Sequence, residues 1–189
     1  MHNIKQNYLL IVFLMFLCFG VGLGSIYLMK TNNENYTYIK EYLTSFFDAV
    51  NTLSKKNIFK NSVYDNILMA FVIVISGFFK PGFIVILTCM IKKGFVLGFT
   101  SASMLKCFGI RGLLINMAYL PTLIISLTTL VFLCQLSIKF ASDNVKNRKK
   151  LRSHYIIFAI ITITIFCISS FMEAYLTTTF MEWISKSFV

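Results

Sequence analysis

Apolar residues along the chain fall into long blocks, separated by short clusters of cations, glycine and proline. Tyr8 to Met29 holds 22 residues without a charge. At 1.5 Å per residue such a block reaches about 33 Å as a helix, enough to cross a bilayer. Small residues at Gly22 to Ser25 also allow a cleaved leader. The block continues apolar to Met29, however, longer than a leader's usual core, so it is read as a retained first span. Gly112 to Phe140 and Tyr155 to Phe180 are two further blocks; the last is interrupted only by Glu173. The pattern predicts an all-α polytopic integral membrane bundle with about five transmembrane helices, at 8–29, 67–91, 94–110, 113–139 and 155–180.

The middle of the chain is the ambiguous part. "FFKPGFIVILTCMIKKGFVLGF", residues 78–99, places Lys80, Lys92 and Lys93 among Phe, Ile, Val and Leu. One arrangement breaks the chain at Lys80-Pro81-Gly82 and leaves Lys92 and Lys93 at mid-depth of the next helix. A central lysine costs roughly 3 kcal/mol on insertion, and each strong apolar residue returns roughly 0.3–0.6. The apolar residues between Phe83 and Phe99 would barely offset two. The other arrangement runs Ile67 to Ile91 as one helix kinked at Pro81, with Lys92-Lys93 at the boundary and only Lys80 deep. This arithmetic favours the second arrangement, and Gly94 to Ile110 becomes a short third span. Asp65 then precedes the second span and is read as interfacial.

Between the first two blocks lies a different pattern. Ile39, Tyr42, Leu43, Phe46, Phe47, Val50 and Leu53 recur at helical spacing, opposite Lys40, Glu41, Ser45, Asp48 and Asn51. This predicts an amphipathic helix over 37–54, with Thr37 as its cap. It lies in the interface between membrane lipid and water, packed on the bundle or presenting Tyr42, Phe46 and Phe47 to a docking partner.

Charge fixes the expected orientation. Of 189 residues 18 are Lys or Arg and 7 are Asp or Glu, a net charge of +11. The densest cationic stretch, within a loop expected at 141–154, carries Lys146, Arg148, Lys149, Lys150 and Arg152. Such a stretch stays in the cytoplasm. Counting crossings puts the N-terminus inside and the C-terminus outside the cell membrane, with Lys92 and Lys93 on the cytoplasmic side. The cations serve topology, so nucleic acid is not an expected partner.

Two small-residue motifs, Gly20 to Gly24 and Gly94 to Gly98, permit close helix approach. Glu173 inside the last span demands a partner, and Lys106 or Arg111 would supply a structural pair. The two histidines, His2 and His154, are too peripheral for a catalytic triad, and the five scattered cysteines form no CxxC pair. Neither an enzyme, a cofactor nor a metal site is expected. Lys80, Pro81, Pro121 and Glu173 could instead mark broken helices around a midplane transport site, so a small permease component is the alternative. Five crossings without an internal repeat suit that alternative only if the chain self-associates.

"MIKKGFVLGFTSASML" followed by "FGIRGLLINMAYLPTLIIS" resembles the stage II sporulation protein M family of endospore-forming bacteria. Lys93, Gly94, Gly98 and Phe99, then Gly112, then Leu120-Pro121 carry the resemblance by their order; Thr122 departs from it, a larger polar residue being expected there. The resemblance implies a membrane component of the engulfment machinery at the sporulation septum. It also implies partners: a lytic transglycosylase (SpoIID) and an amidase/endopeptidase (SpoIIP), both peptidoglycan hydrolases.

Overall fold

The structure is a computed structural model that describes the backbone of residues 2–50, 55–142, 145–177 and 179. Side chains are described for 8–45, 59–142, 151–175 and 179. The helices are α1 (His2–Met29), α2 (Asn33–Val50), α3 (Lys55–Ser76), α4 (Gly82–Phe108), α5 (Ile110–Ser142) and α6 (Val145–Met172). A π-helical stretch, Glu173–Thr177, continues α6. Five helical segments are long and apolar enough to cross a membrane: Tyr8–Met29, Phe59–Ser76, Gly82–Phe108, Ile110–Ser142 and Leu151–Tyr175. The protein is an all-α, multi-pass membrane bundle.

The middle of the chain corrects the expected register. The helix from Ile67 to Ile91 does not exist, and neither does a separate span from Gly94. The chain turns at 77–81, and α4 runs unbroken through Lys92 and Lys93. Local chemistry explains the break. Pro81 has no N–H to continue a helix and disfavours helical backbone at Lys80 before it. Gly82 then passes so close to Ser76 that a Cβ would strike the Ser76 carbonyl oxygen. Backbone bonds from Phe79 N–H to Ser76 O (3.2 Å) and from Gly82 N–H to Phe79 O (3.1 Å) close the turn. Lys80 is therefore exposed at a membrane boundary rather than deep in a span.

Three other boundaries move. The amphipathic helix begins at Asn33, and Thr37 lies within it, donating to Asn33 O (2.9 Å) instead of capping. Residues 51–54 of the expected helix lie outside the described residues. The basic stretch is mostly helix rather than loop, because α6 begins at Val145; 143–144 are not described. Pro121 sits inside α5 without ending it. Among the ordinary turns, Gly109 holds the only positive φ (58°) in the described residues and donates to Leu105 O (2.9 Å), closing α4 before α5.

The apolar centre joins α1, α3, α4, α5 and α6 through Phe13, Ile73, Met90, Leu133 and Phe166 among others. At the Lys80 end an aromatic knot fixes three helices. Phe140 and Tyr155 stack at 4.3 Å between centroids, with Phe78 edge-on to both. The Tyr155 hydroxyl donates to Val74 O (2.9 Å) and lies 2.9 Å from Ser137 Oγ. Arg152 sits 5.9 Å above the Phe78 ring. A cleft of about 610 Å³ between α1, α4 and α5 opens at this end, lined by Leu9, Phe13, Phe83 and Lys80.

Candidate functional site

Three regions hold the residues singled out by sequence, and the structure treats each differently. The first is the contact between α1 and α4, where the two glycine motifs meet one another. A Cβ on Gly20 would strike the Ile91 carbonyl oxygen, and one on Gly24 the Phe95 carbonyl oxygen. Reciprocally, Gly94 lies against Leu17 O and Gly98 against Val21 O. The two helices run in the same direction at backbone contact, and Ser25 Oγ reaches Gly98 O across them (3.4 Å). In lipid such approach substitutes van der Waals contact for a hydrophobic driving force that is absent there. Gly22, between the two motif glycines, faces open space.

The second region lies inside the bundle, away from the Lys80 turn, where four helices contribute polar side chains to one cluster. Ser62 and Asn66 stand four residues apart on α3, and so share a face. Ser170 and Glu173 share a face at the end of α6, and Tyr119 and Lys93 come from α5 and α4. Ser62 Oγ donates to Glu173 Oε2 (2.5 Å), and Tyr119 Oη donates to Glu173 Oε1 (3.0 Å). Asn66 Nδ2 donates to Ser170 Oγ (2.9 Å) and Lys93 Nζ donates to Asn66 Oδ1 (3.3 Å). Glu173 also acts electrostatically on the Lys93 ammonium. In low dielectric such a network stabilises the bundle while each member is satisfied, and costs heavily when one is removed. The π-helical stretch starts at Glu173 itself, a local irregularity often found beside functional groups.

Glu173 takes hydrogen bonds from Ser62 and Tyr119 rather than from Lys106. Lys106 points elsewhere, its ammonium 4.5 Å from the Tyr36 ring centroid. The cluster also shows why the insertion arithmetic misled. That arithmetic treats every central lysine as facing lipid, whereas Lys93 turns into the bundle and meets Asn66. Lys92, one residue earlier, does face outward. The sequence carries a signal for the shelter of Lys93 in the four-residue spacing of Ser62 and Asn66, two polar residues on one face at the head of an apolar block. Lys80 and Pro81 take no part, being at the boundary turn. Pro121 contributes indirectly: next to it, Thr122 is buried, its hydroxyl on Tyr119 O (2.8 Å), and its carbonyl accepts from Ser169 Oγ (3.2 Å).

The third region is α2, at the end of the bundle opposite Lys80. Tyr36 Oη donates to Lys106 O (3.1 Å), and Leu43 is buried. Tyr38 and Tyr42 point away, each 70% exposed. The apolar stripe is therefore divided: Tyr36, Ile39 and Leu43 turn toward the bundle, and Tyr42 does not. The side chains of Phe46 and Phe47, and those of Arg148, Lys149 and Lys150, lie outside the described residues.

The family model described as Stage II sporulation protein M matches residues 9–178. The chain belongs to the Stage II sporulation protein M family. Neither the curated proteins nor the solved structures contain a match to it. As a member of that family it is a sporulation membrane protein, and all three regions above fall largely within the matched span.

Proposed function

We propose that the protein is a non-enzymatic membrane scaffold of the engulfment machinery. It recruits extracytoplasmic peptidoglycan hydrolases, a lytic transglycosylase (SpoIID) and an amidase/endopeptidase (SpoIIP), and anchors them at the sporulation septum. The observation that carries this reading is the placement of α2. Its exposed Tyr38 and Tyr42 occupy the end of the bundle opposite the Lys80 turn and Arg152. In this reading the cation-rich end is cytoplasmic, so the N-terminus is inside, the C-terminus outside, and α2 faces the cell wall. Exposed tyrosines suit a docking surface because they bring large contact area at small conformational cost.

The test is co-purification from sporulating cells of the wild-type chain and of a Tyr38→Ala/Tyr42→Ala variant. Wall hydrolases should accompany the wild type and be reduced at least about tenfold with the variant, as expected when central aromatic anchors are lost. Equal recovery with both overturns the docking role of α2. A second reading, a small permease component, rests on the charged cluster of Lys93 and Glu173 in the bundle. Under it, Glu173→Gln abolishes sporulation while the tyrosine changes are tolerated; under the scaffold reading the order is reversed.

A further inference from the structure

Two opposite charges remain on the lipid-facing surface beside the cluster, one of which, Asp65, lies near enough to act electrostatically on Lys93 within it. Lys92 on α4 and Asp65 on α3 are both exposed, and among the described residues neither side chain has a hydrogen-bond or ion-pair partner. Both lie within the apolar spans, since α3 crosses from Phe59 rather than Ile67. Apolar neighbours such as Phe71 and Val96 are exposed as well, but they are at ease in acyl chains. A carboxylate and an ammonium are not, and such residues in a span almost always find partners.

Their depths agree. Lys92 stands ten residues beyond Gly82 and Asp65 eleven before Ser76, which places both about 15 Å from the shared 77–81 turn. The bond between Lys93 and Asn66 aligns the two helices independently. The direction of each charge follows from helical geometry. α3 and α4 run antiparallel, and Asn66 and Lys93 meet between them. Each preceding residue is rotated about 100° from its neighbour. Because the helices point oppositely, these two rotations have opposite sense, and Asp65 and Lys92 swing to the same side of the pair.

We propose that this face of α3 and α4 is the interface of a homodimer, closed by two reciprocal Lys92–Asp65 ion pairs across the bilayer midplane. Copies inserted in one orientation can be related only by a two-fold axis along the membrane normal. Such an axis preserves depth and exchanges left for right, so α4 of one copy lies opposite α3 of the other. Each lysine then meets the Asp65 of the partner subunit at its own level. An isologous contact of this kind is the commonest route to a closed oligomer. The chain supplies both charges itself, which favours a second copy over a foreign helix that would need its own pair of complementary charges at this depth.

The full chain, reconstituted in bilayers of phosphatidylethanolamine and phosphatidylglycerol, allows a decisive mixing experiment. Lys92→Asp and Asp65→Lys, each alone, place like charges across the interface and should weaken dimerisation at least about tenfold, read by two-colour co-localisation. When the two variants are mixed, both cross-pairs are opposite in sign again, and heterodimers should return to near wild-type levels. Pairing within one chain cannot give that result, because each variant then carries two like charges. A wild type that stays monomeric at high protein density, or a mixture that fails to associate, overturns the proposal. Should either reversed variant fail to insert, disulfide formation between Lys92→Cys and Asp65→Cys copies in a cysteine-free background decides the matter. Cross-linked dimers support the interface, and their absence under oxidation refutes it.

Discussion

The α1–α4 contact and the polar cluster around Glu173 hold the same bundle together by opposite means. Between α1 and α4 the side chains are deleted: four glycines let carbonyl oxygens of one helix lie where a Cβ of the other would be. Around Glu173 the side chains do everything: Ser62, Asn66, Tyr119 and Lys93 reach across from neighbouring helices to meet Glu173 and Ser170 or one another. The first contact tolerates no added atom and the second no missing one. In lipid both are workable, because apolar burial alone does not bring helices together there.

The glycine contact should be the more brittle. Gly98→Leu must push α1 away along its length, and a loss of about 3 kcal/mol or more is expected from overpacking. Gly22→Leu, on the open face of the same helix pair, should stay within about 0.5 kcal/mol of wild type. Reversible unfolding in mixed micelles measures both. Similar losses at the two positions would mean that α1 and α4 are not in backbone contact.

The polar cluster should respond to what is left behind rather than to bulk. Glu173→Ala strands two hydroxyls and removes the acid facing Lys93, a cost of about 2–3 kcal/mol. Glu173→Gln keeps an acceptor for one hydroxyl and should cost about 1 kcal/mol. Adding Lys93→Met to Glu173→Ala should recover part of the loss, and strict additivity in that double-mutant cycle would show that the two charges do not interact.

The aromatic knot at the Lys80 end offers the smallest effect and a reference for the others. Tyr155→Phe keeps the ring stack on Phe140 and removes only the hydroxyl between Ser137 and Val74 O. Interhelical hydrogen bonds of this type average about 0.6 kcal/mol in membranes, and that is the expected loss in the same assay. A loss as large as that of Glu173→Ala would place the knot, rather than the charged cluster, at the centre of bundle stability.

Much of the architecture was legible in the order of apolar blocks. Length and hydrophobicity alone predict five crossings, because the bilayer admits only helices of sufficient reach and punishes exposed backbone. The helical spacing from Ile39 likewise announced α2, and the two glycine motifs announced close contact. What the residues could not announce is which contact. That Gly20 and Gly24 meet Gly94 and Gly98, rather than glycines of another copy, depends on α1 and α4 running side by side in the same direction.

The register of the middle spans shows the limit most plainly. Hydropathy counts residues as though each faced lipid, and on that count Lys92 and Lys93 belong at a boundary. Tertiary structure divides the pair, turning Lys93 inward to Asn66 and leaving Lys92 outside, so one of the two costs nearly disappears. Sequence alone settled how many apolar helices this protein needs, since that follows from chain length and solvent, while the bounds of the second and third came from the turn at 77–81. Which charges are sheltered, and by whom, was decided only when helices distant in the chain brought a serine, an asparagine, a tyrosine and a glutamate to one place.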